Sequence, residues 1–397
     1  MLKAAILLLM LAGLLCLPLI CYGDTNNLPA VGEGTEAQVI AENTYYHIAD
    51  GKLYSTGASA SNYNIYYANG EITLNNAALP TTLYVSGGTT VNLLGENRCT
   101  DSGTNRACIR VMTDGDLTIQ GTGRLTSQTD EGIIWANVVP NPTGNLILKG
   151  DITLNMPTDY KGKVYVSHGD ITIQDTVKFT GTAIQAQVGK VTITGNAQVE
   201  AKQILAAKTV TINGDAKVTV SGSSAHGIDG ICGVEISGNA EVSASASYSA
   251  LNATHGPITI NSTKKLVATS TSSAAINAGE SKSDTPYNIT IKSEVEATGY
   301  MGICANGNNN NIIIDGAKVT VNTQGPCLYT QAEDDEEKSY SPTPGQIEIK
   351  NGAESAPHHS MRMLSQPLQI IFSPSSLRTV RSPLLHPIML FSAVRLR

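Results

Sequence analysis

The chain of 397 residues is 41% hydrophobic but only 5% aromatic and 15% charged, with 37 Gly. That balance excludes a disordered chain and a long-helix protein, and it suits many short strands and turns around a Val, Ile and Leu core. Setting aside Lys3 at the N-terminus and the five Arg after Glu354 leaves 20 Lys and Arg against 33 Asp and Glu, a net charge of −13, which disfavours nucleic acid and anionic membranes as partners.

Lys3, the apolar run Ala4 to Ile20 and the small residues around Cys21-Tyr22-Gly23 predict a secretory signal peptide over residues 1–23. The polar stretch Asp24-Thr25-Asn26-Asn27 follows a run short for a membrane span, so direct membrane insertion of the mature chain is not expected. The protein is read as secreted, in solution or at the cell surface. Residues 24–35 read as a flexible N-terminal segment. Residues 36–80 hold Tyr45-Tyr46, Tyr63, Tyr66-Tyr67 and Ile72-Thr73-Leu74, and their different texture reads as an N-terminal cap. A solenoid needs one, because each end presents unpaired backbone groups.

From residue 81 to 354 a strand core of apolar-polar-apolar form recurs. It appears as Leu117-Thr118-Ile119, Leu146-Ile147-Leu148, Ile171-Thr172-Ile173, Val191-Thr192-Ile193 and Val210-Thr211-Ile212. It continues as Val234-Glu235-Ile236, Ile258-Thr259-Ile260, Ile289-Thr290-Ile291, Ile312-Ile313-Ile314 and Ile347-Glu348-Ile349, with Val91-Asn92-Leu93 an earlier member. The spacings of 19 to 35 residues fit loops of varying size inserted at turns. A second strand follows a Gly or Asn turn, as in Gly195-Asn196-Ala197-Gln198-Val199, and a third reads Gln203-Ile204-Leu205-Ala206 or Gly302-Ile303-Cys304-Ala305. Period-two alternation puts Val, Ile and Leu on one face of each strand. Three short strands per unit with no intervening helix predict an all-β, right-handed parallel β-helix of about ten to eleven three-strand rungs, a β-solenoid capped at its N-terminus. A β-sandwich or propeller is the weaker alternative, since hairpin signals are scarce.

Residues 355–397 contain no Gly, Asp, Glu, Lys, Asn or Tyr, but five Arg and five Pro. This abrupt change reads as a basic, disordered tail or an out-of-frame gene end. A rung stopping in mid-pattern would leave an exposed edge, so self-association through the uncapped C-terminal rung is expected.

The outward Thr file (Thr118, Thr172, Thr192, Thr211, Thr259, Thr290) reads as ordinary β-branched surface, interrupted by Ile147, Glu235 and Glu348. Third-strand outward positions are read as Ile134, Tyr165, Gln185, Leu205, Asp229, Asn252, Asn277, Cys304 and Tyr329. Of these, Tyr165, Gln185, Asp229, Asn252, Asn277 and Tyr329 are the candidate carbohydrate-binding residues, since amides, an acid and aromatics suit a sugar strip. Asp114, Asp116, Asp130 and Glu131 stand at turns where carboxylates and carbonyls can share Ca²⁺, although turn preference alone accounts for Asp there. Ca²⁺ is the one cofactor expected. Glu333 to Glu337 is an acidic run read as a solvated loop.

No catalytic residue is predicted. Polygalacturonases of this fold carry Asn-Thr-Asp, Asp-Asp, Gly-His-Gly and Arg-Ile-Lys motifs; the nearest features are Ala225-His226-Gly227 and Asp334-Asp335, in the wrong order. Arg110 and Arg124 near Asp114 and Asp116 offer the one conceivable lyase arrangement. His168 and His255, each three residues before a strand core, read as turn residues. Five Cys of the mature chain lack zinc spacing; Cys99 with Cys108 is the better disulfide candidate, while Cys304 and Cys327 sit diagonally on adjacent rungs.

Val91-Asn92-Leu93-Leu94-Gly95-Glu96-Asn97, followed by Gly115-Asp116-Leu117-Thr118-Ile119-Gln120-Gly121-Thr122-Gly123-Arg124-Leu125-Thr126, resembles the clostridial-type carbohydrate-binding β-helix family. The similar part runs from about residue 83 to 230, with looser repeats to about 352. The resemblance implies a secreted, non-catalytic binder of acidic polysaccharide or cell-wall glycan, assisted by Ca²⁺. The family's Asp-Gly-Ile before the third strand stands here as Asp130-Glu131-Gly132-Ile133, and later rungs mostly lose the Asp. An adhesin-like structural protein is the second reading and a pectin-active enzyme the third.

Overall fold

The computed structural model describes residues 28–32, 37–100, 107–127, 132–136, 143–156, 162–223, 226–280, 285–331, 343, 345–358 and 370–372. The signal peptide, Asp130, Glu131, the acidic run and most of the tail lie outside these. The described residues hold strands and no helix, gathered into three sheets of 16, 12 and 13 strands, here the first, second and third.

Each turn of the chain lays one strand in each sheet. Thr90–Leu94 enters the first, Glu96–Cys99 the second and Ala107–Val111 the third, and Leu117–Gly121 returns to the first beside Thr90–Leu94. Ten first-sheet strands from Thr90–Leu94 to Ile312–Asp315 stack in this way, which makes nine turns between them. Glu71–Asn75 extends the parallel ladder at one end and Ile347–Lys350 at the other. The protein is a parallel β-solenoid, as the repeat predicts, with about nine turns in place of the ten to eleven rungs expected.

The register explains the sequence pattern. Ile171, Val191 and Val210 lie over one another, as do Ile173, Ile193 and Ile212, and all six are fully buried. The residue between them faces out, forming the Thr172, Thr192, Thr211 file. Similar columns rise from the other two sheets, so one continuous aliphatic core runs from Val31 to Ile347. Each buried Val or Ile contributes about 1.5–3 kcal/mol relative to exposure. Corners stack as closely as strands: Gly195 has φ +69°, and a Cβ there would lie 2.8 Å from the backbone nitrogen of Asp175 in the preceding rung. Only a residue without Cβ fits that corner without displacing its neighbour.

The two ends refine the expected boundaries. Thr44–Ala49 and Ile65–Ala68 pair antiparallel and cover the first sheet, while Ala30–Val31 pairs antiparallel with Leu83–Val85 and covers the third. Part of the segment read as flexible therefore belongs to the cap. Ile72-Thr73-Leu74, placed in the cap by texture, is the first parallel strand instead. The second sheet begins at Ala78–Leu79 with no strand described beyond it. Past residue 354, Glu354–His358 pairs with Lys318–Thr323, and Ile370–Phe372 with Ile347–Lys350, so pairing continues into the segment read as a tail.

Candidate functional site

The third sheet carries the candidate strip. Register places Tyr84, Arg110, Trp135, Tyr165, Gln185, Leu205, Asp229, Asn252, Asn277, Cys304 and Tyr329 in one column up the solenoid. The six residues proposed from sequence all fall in this column, with Tyr165 and Gln185 adjacent at one end and Tyr329 seven rungs from Tyr165. The start of the column needs correction: Ile134 faces the core, fully buried over Val164, and Trp135 occupies the outward register position. Three consecutive apolar residues, Ile133, Ile134 and Trp135, make the phase of alternation in Gly132–Ala136 ambiguous.

Chemistry divides the column into two parts. In the upper part the amides bond to one another. Asn252 Nδ2 donates to Asp229 Oδ1 at 2.9 Å, Asn277 Nδ2 to Asn252 Oδ1 at 2.9 Å, and Asn306 Nδ2 to Asn277 Oδ1 at 2.8 Å. The Cys304 thiol donates to Asn306 Oδ1 at 3.2 Å. Asp229 and Asn252 are only 9% and 2% exposed, so this ladder is largely withdrawn from solvent. Burial pushes the Cys304 thiol pKa up to about 12, against a smaller lowering by Asn306. Asn306 was not singled out from sequence because it stands two residues after the column position and reaches back to it.

In the lower part Tyr84 and Arg110 are buried, whereas Tyr165 and Gln185 are more open. Tyr165 and Gln185 are half-buried neighbours, with Lys163 Nζ 4.5 Å from the Tyr165 ring centre and 3.3 Å from Gln185 Oε1. The Tyr165 hydroxyl donates to Gln187 Oε1, and burial raises its pKa. Lys163, Tyr165, Gln185 and Gln187 make a half-open cluster of one cation, one ring and two amides. Lys163 and Gln187 fall on the edges of their strands, so period-two reading passed over them. Tyr329, at the far end beside Cys304, is half-buried and apart from this cluster.

The acidic turn residues serve a different ladder. Asp116 Oδ1 accepts the Asn145 N–H at 2.8 Å, Asn145 Oδ1 that of Asp170 at 2.9 Å, and Asp170 Oδ1 that of Lys190 at 2.8 Å. Each stands immediately before a first-sheet strand and ties its corner to the next. Asn288 and Asn311 repeat the device higher up, accepting from Asn311 and Gln346 at 2.9 and 2.7 Å. Asp114 Oδ1 accepts the Thr143 N–H at 2.6 Å. One oxygen of Asp114 and one of Asp116 are therefore committed to the backbone, and no cluster of three or more Asp, Glu, His or Cys suited to a metal is found among the described residues. The signal in the sequence was an Asx residue directly before successive cores.

Arg110 and Arg124 are not brought together around these acids. Arg110 is 3% exposed in the third-sheet column, whereas Arg124 lies on the second sheet, 3.8 Å from Glu96. His255 Nε2 lies 3.2 Å from Glu280, and His226 packs edge-on against Tyr248. A cleft of about 470 Å³ lies at the start of the second sheet. Its buried amide is engaged: Asn97 Oδ1 accepts from Ala77 N, and Asn97 Nδ2 donates to the Leu94 and Arg124 carbonyls. Cys99 and Cys108 are both buried in the same rung, and Cys327 lies diagonal to Cys304, as expected. No family model, no curated protein and no solved structure matches the chain.

Proposed function

We propose that the chain is a secreted, non-catalytic carbohydrate-binding solenoid whose ligand strip is the lower third-sheet column, with Ca²⁺ assisting the capture of acidic polysaccharide. The observation that carries the reading is the half-open cluster of Tyr165, Gln185, Lys163 and Gln187. A tyrosine ring offers an apolar face to a pyranose ring, while amides and an ammonium group satisfy its hydroxyls and carboxylates. Parallel stacking repeats such a surface about every 4.8 Å, which suits an extended chain ligand. The formal net charge of −7, or −13 with the N-terminal segment and the residues after Glu354 set aside, opposes direct approach of a polyuronate. Divalent cations bridging sugar carboxylates to protein carboxylates would relieve that repulsion. The buried Asp229 and Asn252, with half-buried Asn277 bonded to them, favour a purely structural solenoid as the second reading.

Sedimentation with insoluble polygalacturonate, with Ca²⁺ and with a chelator, tests the proposal. Binding in Ca²⁺ that weakens at least tenfold in Tyr165→Ala, with no release of unsaturated or reducing sugars, is the expected result. Absence of binding to acidic and neutral glycans alike would leave the structural reading, and sugar release would establish an enzyme.

A further inference from the structure

We infer that Cys99 and Cys108 form an intramolecular disulfide that staples the second-sheet edge nearest the cap. Cys99 ends the second-sheet strand Glu96–Cys99, and Cys108 lies in the third-sheet strand Ala107–Val111 of the same rung. Both are free thiols in the structure, they are 1% and 0% exposed, and Cys99 is near enough to Cys108 to help raise its pKa. Eight residues separate them in the sequence, so the bond closes a short loop. The location gives the bond a purpose. The first and third sheets are covered at this end by antiparallel strands, but the second begins at Ala78–Leu79 and continues directly into Glu96–Cys99. A covalent tie at Cys99 holds the strand next to that edge against fraying.

The chemistry balances with an external disulfide, such as glutathione disulfide, as oxidant. The Cys99 thiolate attacks one of its sulfurs and releases a thiolate; Cys108 then attacks the Cys99 sulfur of the mixed disulfide and releases the second. Two protein thiols are oxidised to one S–S bond, their protons leave with solvent, and the oxidant is reduced to two thiols. Burial, together with the neighbouring Cys99, pushes the Cys108 thiol well up, which suppresses the attacking thiolate in the folded chain.

Peptide mapping tests the inference directly, because Arg98, Arg106 and Arg110 bracket the pair. The full chain is refolded in a glutathione redox buffer, denatured without reductant, alkylated and digested with trypsin. The expected product is Cys99–Arg106 linked to Ala107–Arg110, lighter by two hydrogens than the two peptides together and separated by reductant. Alkylation of both residues, or linkage of either to Cys232, Cys304 or Cys327, overturns it. Reductant should also lower the wild-type melting midpoint by about 5 °C while leaving C99A/C108A unmoved. Should that variant fail to fold, the wild-type peptide map decides alone.

Discussion

Replacing Asn252 by Ala tests whether the third-sheet amide ladder holds the solenoid together. Asn252 is 2% exposed; its Nδ2 donates to Asp229 Oδ1 at 2.9 Å and to Thr254 Oγ1 at 3.2 Å, and its Oδ1 accepts from Asn277 at 2.9 Å. Truncation removes a hydrogen bond to a carboxylate, worth about 1.5–3 kcal/mol, and leaves the Asn277 amide without its acceptor at a cost of about 1–2 kcal/mol. Some of that returns where water reaches half-buried Asn277, so the net loss should be about 3 kcal/mol. Asn252→Asp preserves shape but sets a second carboxylate against Asp229, so one of the two must hold a proton. Its stability should therefore rise as pH falls from 7 to 5, opposite to an ordinary surface carboxylate. Asn306→Ala, at the open end of the ladder, should cost only about 1 kcal/mol. Urea unfolding followed by circular dichroism measures all three, and amide exchange locates the weakened rungs. An Asn252→Ala protein within 0.5 kcal/mol of wild type would refute the idea that these amides act as a connected unit.

Three further outcomes follow from the geometry. Gly195→Val combines φ +69° with a Cβ 2.8 Å from the Asp175 nitrogen and should lower stability by about 2–3 kcal/mol, read as a drop in the melting midpoint. Cys304 has its pKa raised from 9.0 to about 12, so its contribution to stability is complete below pH 9 and disappears as pH climbs towards 12. Cys304→Ala should accordingly lose less stability than wild type between pH 9 and 11, and equal losses would contradict the buried neutral thiol. Asp116→Ala removes the acceptor for the Asn145 N–H and should cost about 1 kcal/mol with or without Ca²⁺; a loss seen only in Ca²⁺ would make Asp116 a metal ligand instead.

The fold was legible because its core obeys one rule at every turn. Ile171, Val191 and Val210 occupy equivalent sequence positions and one spatial column, so the inward face could be read from period two alone. That rule fails where it has no contrast. In Gly132–Ala136, Ile133, Ile134 and Trp135 are all apolar, and only pairing of Ile134 with Val164 sets the phase. It fails again at the first strand, where Ile72-Thr73-Leu74 has the repeat's pattern but follows antiparallel neighbours of unlike composition. The end of the pattern misled for a different reason. Composition changes sharply after Glu354, yet backbone pairing depends little on side-chain type, and Glu354–His358 pairs in parallel register with Lys318–Thr323.

The candidate site was legible as a column and not as a chemistry. Listing outward residues treats Asp229, Asn252 and Asn277 as equivalent to Tyr165 and Gln185, because each occupies the same place in its strand. What separates them is the identity of the residue one rung away. An amide can donate to the rung below while accepting from the rung above, so a run of Asx residues closes upon itself and needs no ligand. A tyrosine over a glutamine does not extend the amide chain; Tyr165 bonds diagonally to Gln187 of the next rung and Lys163 to Gln185 there. The break in the ladder at Leu205, between Gln185 and Asp229, is where the column changes from self-satisfied to open. On the proposed carbohydrate-binding reading, Tyr165 and Gln185 are the column positions to test for ligand, and substitutions at Asp229, Asn252 or Asn277 should act on stability first.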